Sequence, residues 1–309
     1  MATISETGAV SGKEITVDQY FSTYGQLQQQ VENGEIDHDQ FNDSNDKLNY
    51  SVENANASKA KLTNLGQSAS GKKLEGKNLE INEKFRGDQF KAEDSFDASV
   101  DKAKHDALTS ANYNTTCALN ENLDGHLLNN NHIELSEADK KCLEELANYR
   151  QDLSPITEDT ILQKVIDKNQ VDAYLNKDKP KRLIGGCVSK ASDVAPFTNN
   201  LDEAYKNLRL DYCKTPFKEA AENGEPMYVL RCTSSFKPSN NDCPVINDFT
   251  QPPCTGTGYL GSDSHLLPEY SYGRGHQITD GAIFTVDKDG NERLYAVCDK
   301  NNLRFEKVE

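Results

Sequence analysis

The sequence contains no apolar run of about 18 residues, the length that a bilayer-spanning helix needs, and therefore predicts no membrane span. The first residues, 1–6, lack both a basic region and an apolar region, so they do not predict a standard secretory signal peptide. These two absences leave two locations open. One is the cytosol, and the other is secretion, or injection into a target cell, by a non-classical route that reads other signals.

The sequence also lacks the spacing of a structural zinc site. No two of the eight cysteines form a CxxC pair, and there are only six histidines, so we expect no metal ligands. Six of the eight cysteines follow residue 186. They could be thiols in a reducing compartment or form up to three disulfides in an oxidising one. We favour thiols because no secretory signal is visible.

A basic patch is missing as well. The longest basic cluster, residues 177–182, is interrupted by Asp178 and Pro180 and is typical of a solvated linker. The net charge of the chain is −16, of which residues 1–180 carry −13 and residues 181–309 carry −3. An acidic chain repels nucleic-acid phosphates. We therefore expect no nucleic-acid partner. Most of the negative charge lies in residues 1–180.

The pattern of apolar residues predicts an α+β protein in three parts. Residues 1–15 are small and polar and predict a flexible tail. Residues 16–152 carry helical patterns with thin apolar stripes, which predict a polar helical segment for delivery or interaction. Residues 153–309 predict a compact α+β domain of short strands with few helices.

Individual elements follow from local signals. We expect helices over 16–33, 37–52, 79–113, 157–175 and 201–210, and a helix from Ser136 to Tyr149 with Ser136 at its start. An Asn-rich loop should cover 114–135. Strands are expected over 182–189 and 227–236, followed by a three-stranded meander over 282–286, 293–298 and 303–306. The residues 287–291 give a strong hairpin-turn signal between the first two strands of the meander.

Two arginines and a glycine-rich segment are candidates for binding a phosphorylated ligand. Arg182 and Arg231 lie on predicted strands, where a planar guanidinium can hold a diphosphate by paired hydrogen bonds. The alternative for each is a surface residue or half of an ion pair. The segment 256–264 includes Gly258, Ser262 and Ser264, and glycine permits close approach of the backbone to a ligand. It is neither a P-loop nor a dinucleotide fingerprint, and the alternative is an ordinary loop.

Four further residues are candidates for catalysis. Glu269 could stabilise positive charge at an anomeric carbon, as carboxylates do in glycoside hydrolysis; its alternative is a surface position. Glu292 is a weaker rival that we expect to face solvent. His276 and Gln277 follow a glycine-rich loop and could contact substrate, but no serine or cysteine is linked to His276 by a recognisable motif.

The order of these residues resembles that of NAD-dependent ADP-ribosyltransferases within secreted bacterial toxins and effectors. The resemblance implies that Arg231 (or Arg182) grips the phosphates of NAD, that Ser262 and Ser264 support the site, and that Glu269 drives cleavage of the nicotinamide–ribose bond. In that family the Glu lies well downstream of the serines, whereas here Glu269 follows Ser264 by five positions. The similarity covers at most residues 181–309.

Two functions follow as expectations. The first is a secreted effector whose C-terminal domain consumes NAD as a substrate, either transferring ADP-ribose to a target protein or small-molecule acceptor or hydrolysing NAD. Such a virulence toxin would also have a chaperone or immunity protein as a partner. The second is a non-enzymatic, acidic interaction protein with a helical module and a small β-rich binding domain.

Overall fold

The computed structural model describes residues 66–121, 135–210, 215–235, 257–271, 275–301 and 303–308, together with short pieces before residue 41. The chain divides into two compact units, Met1–Asn64 and Leu65–Glu309. In the first unit, strand β1 (Thr3–Ile4) pairs antiparallel with β2 (Val10–Ser11) inside the predicted tail. Residues 26–27 and 29–31 are helical, within the helix expected over 16–33. The helix expected over 37–52 lies almost entirely outside the described residues.

The second unit is an α+β structure built on one antiparallel sheet. Its strand order is β12-β11-β10-β6-β3-β5-β9, and β4 pairs with the start of β10. The strands are β3 (Leu162–Ile166), β4 (Leu183–Ile184), β5 (Cys187–Lys190), β6 (Met227–Ser234), β9 (Tyr270–Ser271), β10 (His276–Val286), β11 (Glu292–Asp299) and β12 (Arg304–Lys307). A separate hairpin consists of β7 (Tyr259–Leu260) and β8 (Leu267–Pro268).

Eight α-helices accompany the sheet in the described part of this unit. They are α1 (Gly76–Phe85), α2 (Phe96–Ser99), α3 (Lys102–Glu121), α4 (Glu137–Gln151), α5 (Lys168–Leu175), α6 (Ala191–Val194), α7 (Leu201–Asn207) and α8 (Phe217–Glu222). The helix expected over 79–113 is therefore divided among α1, α2 and α3, and α3 continues into the region expected to be an Asn-rich loop. None of these helices combines the length and apolar composition that a bilayer crossing requires.

The sheet is covered on both faces, so its central strands β3 and β6 bury side chains that point to either side. On β6, Leu230 and Cys232 belong to one buried cluster with α5, whereas Met227 and Val229 belong to another with α7 and α8. A third cluster packs Phe85 of α1 against Phe284 of β10. Alternation along each strand thus divides the core between the two faces.

The helices α1 to α4 pack in the same unit as the sheet. The sequence places a domain boundary between residues 152 and 153, whereas the contacts of the chain place one between Asn64 and Leu65. Leu108 of α3 and Leu146 of α4 form a buried cluster with Tyr259 of the β7–β8 hairpin. The thin apolar stripes of α3 and α4 are therefore buried, because the β7–β8 hairpin packs against them.

Candidate functional site at the β4–β10 edge

Three of the sequence-predicted residues meet where β4 pairs with β10. His276 pairs with Ile184 and Gln277 with Leu183, and the carbonyl of Arg182 accepts a hydrogen bond from Ile278 N at 3.0 Å. The side chains of Arg182 and Gln277 are exposed, and that of His276 is half-buried. The antiparallel pairing therefore brings the backbones of these three residues together, although almost 100 residues separate the two strands. Because side chains alternate along a strand, Arg182 and His276 lie on one face of the pairing and Gln277 lies on the other.

Leu183 gives this edge an apolar component. It is 45% exposed, and it is the only large hydrophobic residue that is exposed within the described part of the chain. Because Leu183 is opposite Gln277 in the pairing, this apolar surface lies on the face away from Arg182 and His276.

Glu269 lies buried beside this edge, at the end of the β7–β8 hairpin. It is 4% exposed, and its N–H donates to the carbonyl of Gly258 at 3.1 Å. The next residue begins β9, which pairs with β5 through Cys187 and Val188. Glu269 is therefore next to Gly258 and immediately before β9. The strand that pairs with β9 is β5, which follows the turn after β4.

Arg150 fixes the main chain of Glu269. Its Nη2 donates a short hydrogen bond to the Glu269 carbonyl, and its guanidinium lies over the rings of Tyr259 and Tyr270 at 5.5 and 5.6 Å. Such cation–π contacts are stronger when desolvated, and Arg150 is only 5% exposed. The last turn of α4 thus holds the backbone from which the Glu269 carboxylate projects.

Lys164 contacts the turn between β4 and β5, and the sequence analysis did not identify it as a candidate. From β3 its Nζ donates to the carbonyls of Gly185 at 2.7 Å and Cys187 at 3.1 Å. Desolvation by burial lowers the pKa of Lys164, and Lys181 lowers it further, while the negative forms of Cys187 and Glu269 oppose the shift. The only sequence signal is a lysine that follows Gln163 between apolar residues.

Arg231 lies elsewhere, in a closed network on the face of the sheet that α1 covers. Its Nη1 donates to Glu292 Oε2 at 2.7 Å and to the Phe85 carbonyl at 3.1 Å. Its Nε donates to Gln163 Oε1 at 2.7 Å, and Gly87 N donates to Glu292 Oε1 at 2.7 Å. Arg231 is 2% exposed and is half of an ion pair, the alternative given for it above. Glu292 was expected to face solvent, which is wrong, because Arg231 and Gly87 satisfy its carboxylate inside the protein.

Ser262 braces the loop of the β7–β8 hairpin. Its hydroxyl donates to Asn207 Oδ1 at 2.9 Å and accepts from the N–H groups of Ser264 at 3.3 Å and His265 at 3.2 Å. Ser262 is fully buried, whereas Ser264 is exposed and its hydroxyl contacts Asp263. The structure therefore places these two serines at a turn, away from the β4–β10 edge and from Arg231.

A second polar cluster, also missed, joins α2, α3 and the hairpin loop. Asp97 Oδ1 lies 2.7 Å from His105 Nε2 and accepts from Leu266 N at 2.6 Å, and Asp97 Oδ2 lies 3.2 Å from His265 Nδ1. Burial alone would raise the pKa of Asp97, but the hydrogen bonds from His265, Leu266 and His105 hold it below its usual value. The His265 ring stacks on Phe197 at 4.1 Å. Within the described part of the chain, no three histidine, cysteine, aspartate or glutamate side chains are grouped so that they could hold a metal ion.

Among the described residues, Cys142, Cys187, Cys232 and Cys298 form no disulfide bond. Cys187 and Cys142 are half-buried, while Cys232 and Cys298 are buried. The side chains of the other four, Cys117, Cys213, Cys243 and Cys254, lie outside the described residues.

Comparison with known proteins returned no matching family model, curated protein or solved structure.

Proposed function

We propose that the unit Leu65–Glu309 is the catalytic part of a secreted effector that cleaves the nicotinamide–ribose bond of NAD. The observation that carries the proposal is the pairing of β4 with β10, which places Arg182 and His276 on one face of an accessible strand edge. Arg182 takes the phosphate-binding role in this proposal, because Arg231 is buried and its donors are used within the protein.

The chemistry assigns one role to each part of the edge. The exposed guanidinium of Arg182 binds the pyrophosphate by paired hydrogen bonds, and His276, which lies on the same face of the pairing, contacts the ribose hydroxyls. The Glu269 carboxylate stabilises the positive charge that develops at the anomeric carbon, an interaction that is stronger where water is excluded. Nicotinamide leaves with the bonding electrons, and water or an acceptor nucleophile attacks the same carbon and loses a proton.

The full chain should be incubated with NAD, and nicotinamide release followed by chromatography with and without a cell lysate. Release without lysate supports hydrolysis, and release that needs lysate, with ADP-ribose on a protein, supports transfer to a target. Arg182→Ala and Glu269→Gln should abolish release, whereas Arg304→Ala, which changes a half-buried arginine on the edge strand β12, should not. Release that Arg182→Ala and Glu269→Gln leave unchanged would overturn the proposed site.

A non-enzymatic interaction protein is the second candidate. The observation that favours it is the internal use of Arg231 and Ser262, two of the positions that the resemblance assigns to NAD. It predicts no nicotinamide release from the folded chain in either condition, an outcome that would remove the catalytic proposal.

A further inference from the structure

Lys164 presents its amine to a turn with two main-chain acceptors. Its Nζ donates to the carbonyls of Gly185 and Cys187, and within the described residues these are its hydrogen-bond acceptors. A neutral amine has two N–H groups, which these carbonyls satisfy, and one lone pair. A protonated amine has a third N–H, which would need another acceptor at this half-buried position.

The surroundings of Lys164 also favour the neutral amine. Burial in the sheet lowers its pKa, and the neighbouring cation of Lys181 acts in the same direction. Lys181 is itself half-buried, and its Nζ lies 4.8 Å from the ring of Tyr174. A lysine that is desolvated and close to a second cation is a nucleophile toward carbonyl compounds.

Gly186 keeps space open beside the amine. A Cβ at this position would lie 3.2 Å from Lys164 Nζ, closer than ordinary packing. The φ of Gly186 is +71°, which also favours glycine. The turn therefore allows a small group to approach the nitrogen from the exposed side of the edge.

We propose that Lys164 is a carbonyl-reactive amine that forms an imine with an anionic aldehyde or ketone. The lone pair of Nζ attacks the carbonyl carbon, the resulting carbinolamine loses one water molecule, and a C=N bond remains. Lys181 and the exposed Arg182 supply the positive charge that selects an anionic compound. The inference is independent of NAD cleavage, because it rests on Lys164 and not on Arg182 or Glu269 as catalytic groups.

The test uses the full chain, pyridoxal phosphate as the carbonyl probe and borohydride to reduce the imine to a stable amine. Peptide mass spectrometry then gives the label on each lysine. The matched control is Lys168, an exposed lysine four residues further along the chain that pairs with Asp172, an interaction that raises its pKa. At neutral pH we expect severalfold more label on Lys164 than on Lys168, and labelling of Lys164 should begin at lower pH.

Variants and a second probe complete the test. Lys164→Met should lose the label at that peptide, and Lys168→Met should leave the Lys164 label unchanged. Pyridoxal, which lacks the phosphate, should label Lys164 several times less. Equal labelling of the two lysines in the unmodified protein, or identical pH profiles, would overturn the inference without relying on a variant. Equal labelling of Lys164 by pyridoxal and its phosphate would overturn the preference for an anion.

Discussion

The carboxylate of Glu292 lies 2.7 Å from Nη1 of Arg231, and both side chains are buried. The pair ties the start of β11 to the middle of β6, and it also holds the end of α1, since Phe85 accepts from Arg231 and Gly87 donates to Glu292. The first helix of the unit is thus fastened to the sheet by polar contacts in addition to its apolar cluster.

Breaking this pair should be costly. Glu292→Gln preserves the shape but leaves the guanidinium of Arg231 without a buried counter-charge, a change that typically costs about 3 to 5 kcal/mol. Urea unfolding of the full chain would measure the loss. The control is Glu306→Gln, since Glu306 pairs with Arg304 at 2.9 Å on the surface, where such pairs contribute at most about 1 kcal/mol. Equal losses for the two variants would contradict a buried, dedicated ion pair.

Gly281 should be intolerant of substitution because β6 passes close to it. A Cβ at Gly281 would lie 2.7 Å from the Cβ of Cys232 and 2.8 Å from the carbonyl of Arg231. The backbone of β6 cannot move without disturbing the sheet, so Gly281→Ala should destabilise the protein by about 1 to 3 kcal/mol. Gly66→Ala is the control, because no atom lies within 4 Å of a Cβ built there. Thermal unfolding that shows similar midpoints for both variants would be inconsistent with this packing.

Local signals were sufficient for part of the fold. The meander β10–β11–β12 is confirmed, because the turn that joins its first two strands is encoded in neighbouring residues. Gly290 has a φ of +80° and its N–H donates to the Asp287 carbonyl at 3.0 Å. The helix from Ser136 is also confirmed, since the Ser136 hydroxyl accepts from Asp139 N at 3.0 Å.

The helix expected over 157–175 is wrong in its first half. The structure has β3 at Leu162–Ile166 and then α5 at Lys168–Leu175, with Asp167 as the N-cap that accepts from Gln170 N. The apolar residues of 161–166 fit either period because both faces of the sheet are covered. The position of this strand could be decided only by its pairing with β6.

The candidate site shows the same limit. His276 and Gln277 could be chosen as a pair from sequence, but their pairing with β4 depends on a contact between distant strands. Lys164 gave no signal beyond its position with Gln163 between apolar residues. Asp97 and His265 are 168 residues apart, so no local pattern could join them.

The cysteines should differ in reactivity in the folded protein. Burial raises the pKa of Cys232 and raises that of Cys298 to about 12, so neither forms a thiolate at mildly alkaline pH. Cys187 and Cys142 are half-buried. Brief treatment with iodoacetamide should therefore label Cys187 and Cys142 first, as measured by peptide mass spectrometry. All four should be labelled in urea, and early labelling of Cys232 in native buffer would contradict its burial in the sheet.

The ionisation of Asp97 should make the free energy of unfolding depend on pH in the acid range. Its folded-state pKa lies below the ordinary value of 3.8. Its contribution is therefore fully present above that value and is lost as the pH falls through the folded-state pKa. Asp97→Asn should cost about 2 kcal/mol at neutral pH, since it removes the charge from hydrogen bonds to His105, His265 and Leu266 N. The free energy of unfolding, measured by urea titration from neutral to acid pH, should then fall less steeply below about pH 4 than in the unmodified protein. Asp106→Asn is the matched control, because Asp106 is fully exposed and lies 3.7 Å from the other nitrogen of His105. This control should leave unchanged both the stability at neutral pH and the fall of the free energy of unfolding in acid. If Asp97→Asn showed the same fall in acid as the unmodified protein, the role of this carboxylate would be contradicted.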